Sequence, residues 1–125
     1  MHGGKENPTI GADSAWMEII SAITHYSLGA VNVVDSEGRL AGIITDGDLR
    51  RSMQRVRPAD LAFANLKCDD LMTRNPVVAN PEMLAFDALR LMEDRPSQIN
   101  VLPVVDDNRL CVGLIRLHDI VRSGL

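Results

Sequence analysis

The sequence predicts an α/β (α+β) fold made of two strand–helix–strand–strand–helix units packed about a pseudo-twofold axis. Three observations carry this. Val33-Val34-Asp35, then Gly42-Ile43-Ile44-Thr45-Asp46-Gly47-Asp48, returns as Val104-Val105-Asp106, then Gly113-Leu114-Ile115-Arg116-Leu117-His118-Asp119, at a constant shift of 71 residues from Val33 to Val104. Each copy follows a segment with the apolar period of a helix. Within each copy, two short apolar runs flank a turn. A repeat of this kind marks a unit that cannot bury its apolar face alone, and two copies suit a closed pair in which each covers the other.

Taken in order, Pro8-Thr9-Ile10 reads as an extended start. Trp16, Met17, Ile19, Ile20 and Ile23 give the first helix. Ala30 to Val34 and Leu40 to Thr45 are strands joined at Asp35-Ser36-Glu37-Gly38, and a second helix follows Thr45. The second copy opens extended at Pro76-Val77-Val78-Ala79 and continues into a helix bearing Leu84, Ala88, Leu89, Leu91 and Met92. Its strands are Val101 to Val105 and Leu110 to Ile115, turning at Asp106-Asp107-Asn108, before a last helix. The helices drift from the strand register by two residues, which we assign to a loop around Pro96-Ser97. Residues 1–6 read as a linker, 7–57 as the first unit, 58–67 as a connector and 68–125 as the second unit. Val33, Val34, Ile43, Ile44, Val104, Val105, Leu114 and Ile115 are the expected core.

Composition agrees with one compact pair. A chain of 125 residues with 46% hydrophobic content can bury a core, and with one Trp, one Tyr and two Phe that core falls to Val, Ile, Leu and Met. No apolar stretch approaches the ~20 residues that span a bilayer, and Met1 to Asn7 lacks a hydrophobic signal core, so a cytoplasmic protein without a membrane partner is expected. Cys68 and Cys111 match no metal or redox spacing and read as ordinary reduced thiols. A net charge of −4 argues against a nucleic-acid partner. Arg50, Arg51, Arg55 and Arg57 are a local exception, either a solvated face or an attractor of phosphorylated ligands.

The ordered set of strand ends, Leu102-Pro103-Val104-Val105-Asp106 and Gly42 to Arg50, with the connector Asp70-Leu71-Met72-Thr73-Arg74-Asn75-Pro76, resembles tandem CBS domains, the modules named after cystathionine β-synthase. The resemblance covers nearly the whole chain. Thr45-Asp46-Gly47-Asp48-Leu49-Arg50-Arg51 and Leu117-His118-Asp119-Ile120-Val121-Arg122-Ser123-Gly124 further resemble the regulatory pair of bacterial arabinose-5-phosphate isomerases, and Met1-His2-Gly3-Gly4 resembles the linker that precedes it. That resemblance implies a covalently linked sugar-isomerase (SIS) domain that carries the aldose–ketose chemistry, with this chain regulatory and non-catalytic.

The candidate site follows from chemistry and family together. A helix amino terminus presents unpaired N–H groups and partial positive charge, so a phosphate can rest there. Thr45 adds a hydroxyl, Gly42 permits close backbone approach, and Asp48 suits ribose hydroxyls. Asp46 lies between them. The family pattern places a base against Thr9, Ile10 and Asn32 in the first copy, and Val77, Val78 and Pro103 in the second. Thr45-x-x-Asp48 is equally a capping box that needs no ligand, and spacing leaves both readings open. In the second copy Arg116 stands where Thr45 stands, while Asp119 is retained. An arginine cannot cap, but it can grip phosphate or carboxylate bidentately, with His118 beside it. The ligand class is therefore a nucleotide such as AMP or ATP, or a cytidine sugar nucleotide, with no resident cofactor or metal. His2, His25 and His118 do not form a metal-ligand spacing. The alternative is a structural homodimerisation module, since Met17, Ile20, Leu89 and Met92 offer apolar helix surface.

Overall fold

Two sheets carry the fold in a computed structural model, which describes residues 1–55, 66–83, 85–93 and 99–122 apart from the side chains of Arg55 and Ala85. Arg57, Leu84, the Pro96-Ser97 loop and Ser123-Gly124 lie outside the described residues. The chain runs β1 (His2–Gly3), a 3-10 turn (Gly4–Glu6), β2 (Thr9–Gly11), α1 (Trp16–Tyr26), β3 (Ala30–Val34), β4 (Leu40–Thr45) and α2 (Asp46–Arg55). It continues through α3 (Cys68–Leu71), β5 (Thr73–Arg74), α4 (Ala85–Glu93), β6 (Val101–Val105), β7 (Cys111–Arg116) and α5 (Leu117–Arg122).

Each hairpin forms where its paired apolar runs predict. β3 and β4 pair antiparallel, as do β6 and β7, with a bulge at Val33/Val34 in one and at Val104/Val105 in the other. The turns are built alike. Asp35 Oδ1 accepts the N–H groups of Glu37 and Arg39 at 2.9 and 3.0 Å, and Asp106 Oδ1 accepts those of Asn108 and Leu110 at the same distances. The left-handed position that closes each turn is Gly38 (φ 82) in the first and Arg109 (φ 64) in the second. A glycine adopts that conformation freely, whereas an arginine there is strained.

The sheet order departs from two self-contained units. One sheet is β2-β3-β4-β5 and the other β1-β7-β6. Thus β5, at the head of the second copy, closes the first sheet, while β1, at the head of the first, closes the second. Residues 2–3, which the sequence reading leaves in a linker, are therefore a strand. The exchange obeys the 71-residue shift: His2 pairs with Leu114 as Thr73 pairs with Ile43, and Gly3 with Gly113 as Arg74 with Gly42. The pseudo-twofold passes between Arg39 and Leu110, which bridge the hairpin tips. There the Leu40 N–H donates to Arg109 O and the Cys111 N–H to Gly38 O, both at 3.0 Å.

Trp16, Ile19 and Ile23 of α1 pack on Val31, Val33 and Ile44, and Ala88 and Met92 of α4 pack on Leu102, Val104 and Ile120. A third cluster, Ala30, Ile43 and Leu114, joins the two sheets. Six of the eight expected core residues are buried, but Val34 and Ile115 are only half-buried. Val34 follows the bulge at the strand end. Ile115 packs at the margin of the second core cluster. The expected apolar helix surface also needs correction. Met92 is wholly buried and Ile20 and Leu89 are half-buried against the cores, leaving Met17, at 67% exposed, as the only one of the four that faces outward. Among the described residues, no helix is long and apolar enough to cross a membrane.

Candidate functional site

The two repeated motifs converge on one cavity of about 1160 Å³. Its walls bring Thr45, Asp46, Gly47, Asp48 and Arg51 from the first copy against Arg116, Leu117 and His118 from the second. An apolar side is supplied by Leu28, Ile43, Val77, Val101 and Pro103, and Thr73, Asn75 and Asn100 add neutral polar groups. Of the residues expected from sequence, Thr45, Asp46, Asp48, Val77, Pro103, Arg116 and His118 therefore line it. Thr9, Ile10, Asn32, Val78 and Asp119 do not.

The first motif is a complete capping box. The Asp48 N–H donates to Thr45 Oγ1 at 3.2 Å, while Asp48 Oδ2 accepts the Thr45 N–H at 2.8 Å and its hydroxyl at 3.1 Å. Arg51, one turn on, donates to Asp48 Oδ1 at 2.6 Å. The capping reading is thus correct as geometry. It does not displace the ligand reading, because Thr45, Asp48 and Arg51 all remain on the cavity wall. Arg51 itself, read from sequence only as part of a basic cluster, could have been singled out by its spacing of three from Asp48.

The second motif keeps half of the box: the Arg116 N–H donates to Asp119 Oδ2 at 3.0 Å. In place of a hydroxyl, the Arg116 guanidinium grips the same carboxylate, Nη2 to Oδ1 at 2.9 Å and Nε to Oδ2 at 3.3 Å. From β1, His2 Nε2 reaches Asp119 Oδ2 at 3.1 Å. Burial alone would raise the Asp119 carboxyl, but the hydrogen bonds from Arg116 and His2 outweigh it and hold the group down at about 2. Asp119 is thus engaged by Arg116 and His2 and does not line the cavity.

Thr9 and Ile10 are spent on the parallel ladder of β2 with β3. Asn32, wholly buried, ties the sheets together, its Nδ2 donating to Gly113 O at 3.0 Å and to Asn7 Oδ1 at 3.3 Å. Gly42 does permit close approach, but what approaches is β5. A Cβ there would lie 2.7 Å from both Thr73 O and Met72 Sδ. Both cysteines are free, and burial pushes each thiol above its ordinary range, with the Asp69 charge adding to the effect at Cys68.

Comparison with known proteins agrees with this architecture. The family model described as CBS domain matches residues 5–55 and 68–125. Arabinose 5-phosphate isomerase KdsD of Yersinia pestis is 40% identical over 125 residues, all of this chain and 36% of that protein. The protein of the same name from Escherichia coli K12 is 32% identical over the same shares. The chain thus spans about a third of the length of these relatives. Among solved structures, the CBS domain pair of MJ0100 in complex with 5'-methylthioadenosine and S-adenosyl-L-methionine superposes with a TM-score of 0.81 at 27% identity. It covers 98% of this chain and 91% of that one. CBSX2 in complex with AMP gives 0.78 at 22% identity over 99% and 91%, a likeness of fold.

Proposed function

Because the chain belongs to the CBS-domain family and carries two such units in tandem, we propose that it is a regulatory, non-catalytic pair that senses a nucleotide or nucleotide-sugar in the cavity between its motifs. The carrying observation is the convergence of both motifs on one cavity of about 1160 Å³, ample for a ligand of that size. Its apolar side suits a base. Thr45 and Asp48 suit ribose hydroxyls and the phosphate next to them, and Arg51 and Arg116 suit the phosphate charge. AMP, ATP and cytidine sugar nucleotides are the ligands to try. MJ0100 and CBSX2 hold adenosine-type ligands in the same fold, which supports the class. The likeness to the isomerases supports a sugar-isomerase domain as the linked partner and sugar-phosphate isomerisation as the regulated reaction.

Calorimetry with these nucleotides tests the reading. Asp48→Ala should weaken binding roughly ten- to hundred-fold, since a lost charged hydrogen bond costs about 1.5–3 kcal/mol. Arg116→Ala should weaken phosphorylated ligands selectively. A wild type silent to all of them at millimolar concentration overturns the proposal. Self-association is a second reading, favoured by Met17 on α1 and Phe86 on α4, which are 67% and 55% exposed. They occupy matching positions two residues before the buried Ile19 and Ala88.

A further inference from the structure

We propose that His2 is a positioning residue for phosphate recognition, acting through Asp119 to set how readily Arg116 turns from its own carboxylate to a ligand. The inference rests on the cavity reading above and adds a residue that does not line the cavity. Arg116 lines the cavity, and its guanidinium is already held by both oxygens of Asp119. A phosphate that engages this guanidinium must draw it at least partly off that carboxylate. Asp119, with a side chain only 19% exposed, would then lose charged donors, and a part-buried carboxylate left short of partners is costly.

His2 is the group that lowers this cost. Its imidazole reaches Asp119 Oδ2 at 3.1 Å from β1 and stays on the carboxylate when the guanidinium leaves. Only the second motif is built this way. In the first, Thr73 stands where His2 stands in the repeat, and the carboxylate of Asp48 is held by Thr45 and by the exposed Arg51. The selectivity of the cavity for phosphate is thereby set in part from the first strand of the chain.

Calorimetry with AMP and CMP beside adenosine and cytidine, on wild type, His2→Ala and His2→Lys, tests this. The expected result is a loss of roughly 5- to 20-fold for the nucleotides in His2→Ala, with the nucleosides unchanged. His2→Lys returns a hydrogen-bond donor to Asp119 and should recover most of the loss. In an Arg116→Ala background, His2→Ala should have no further effect. If nucleosides and nucleotides weaken equally, the substitution has merely loosened β1 and the coupling is overturned. It is also overturned if wild type and His2→Ala bind nucleotides alike, a result that leaves the cavity reading standing. A wild type silent to all four compounds overturns both.

Discussion

Thr45 and Arg116 occupy one position in the repeat and satisfy the same helix start by different chemistry. Thr45 closes a capping box, so Thr45→Ala should lower stability by about 1 kcal/mol in urea denaturation. From the sequence, Arg116 reads as unable to cap and hence free for a ligand. Its grip on Asp119 alters that expectation: Arg116→Ala should cost on the order of 1–3 kcal/mol by removing both guanidinium donors from a part-buried carboxylate. Asp119 gives this a pH signature. Its folded-state value, about 2, lies below the ordinary aspartate value of 3.8. Between those values the unfolded chain binds more protons, so the stabilisation is complete above about pH 5 and is lost as pH falls toward 2. The shift corresponds to on the order of 2 kcal/mol. Denaturation of wild type and Asp119→Asn between pH 2 and 5 should show that extra slope in wild type alone.

Elements differ sharply in how much of them the sequence reveals. β3, β4, β6 and β7 are legible because five- and six-residue apolar runs repeat at a fixed shift. α1 and α4 are legible by their period, although the two-residue drift between them blurs which residues correspond. β1 and β5 leave no such trace. Each is two residues long, and its pairing is made by backbone groups that no side-chain pattern encodes. The signal for them lies in their partners, Gly42 and Gly113, whose missing side chains make room for the exchanged strands. Gly42→Ala would set a Cβ 2.7 Å from Thr73 O, and Gly113→Ala one 2.9 Å from His2 O. Each should destabilise the protein by about 1–3 kcal/mol. Gly42→Ala should be the worse, because its backbone contact is closer. Urea midpoints for the two variants measure this. The same concealment explains the site. Thr45, Asp48 and Arg116 are visible as motif residues, whereas Thr73, Asn75 and Asn100 reach the cavity only through tertiary placement.

At the scale of the whole molecule, the third cluster and the exchanged strands make the two copies one cooperative body. A single urea transition is expected, with tryptophan fluorescence from Trp16 in the first copy coinciding with circular dichroism from both. Two separated transitions would refute that. Self-association belongs to this scale too. Sedimentation should give a dimer at tens of micromolar, and Met17→Glu with Phe86→Glu should shift it to monomer. A wild type already monomeric overturns that expectation. The strand exchange also sets an order in time. His2 is made near the start of this chain, but the aspartate it meets comes 117 residues later. At roughly 5–20 residues per second on the ribosome, β1 waits on the order of ten seconds for its place beside β7. The first sheet, by contrast, gains β5 as soon as the connector emerges. Synthesis therefore completes the first sheet while the second has yet to be made, and β1, made before β2 to β6, is among the last of these strands to dock.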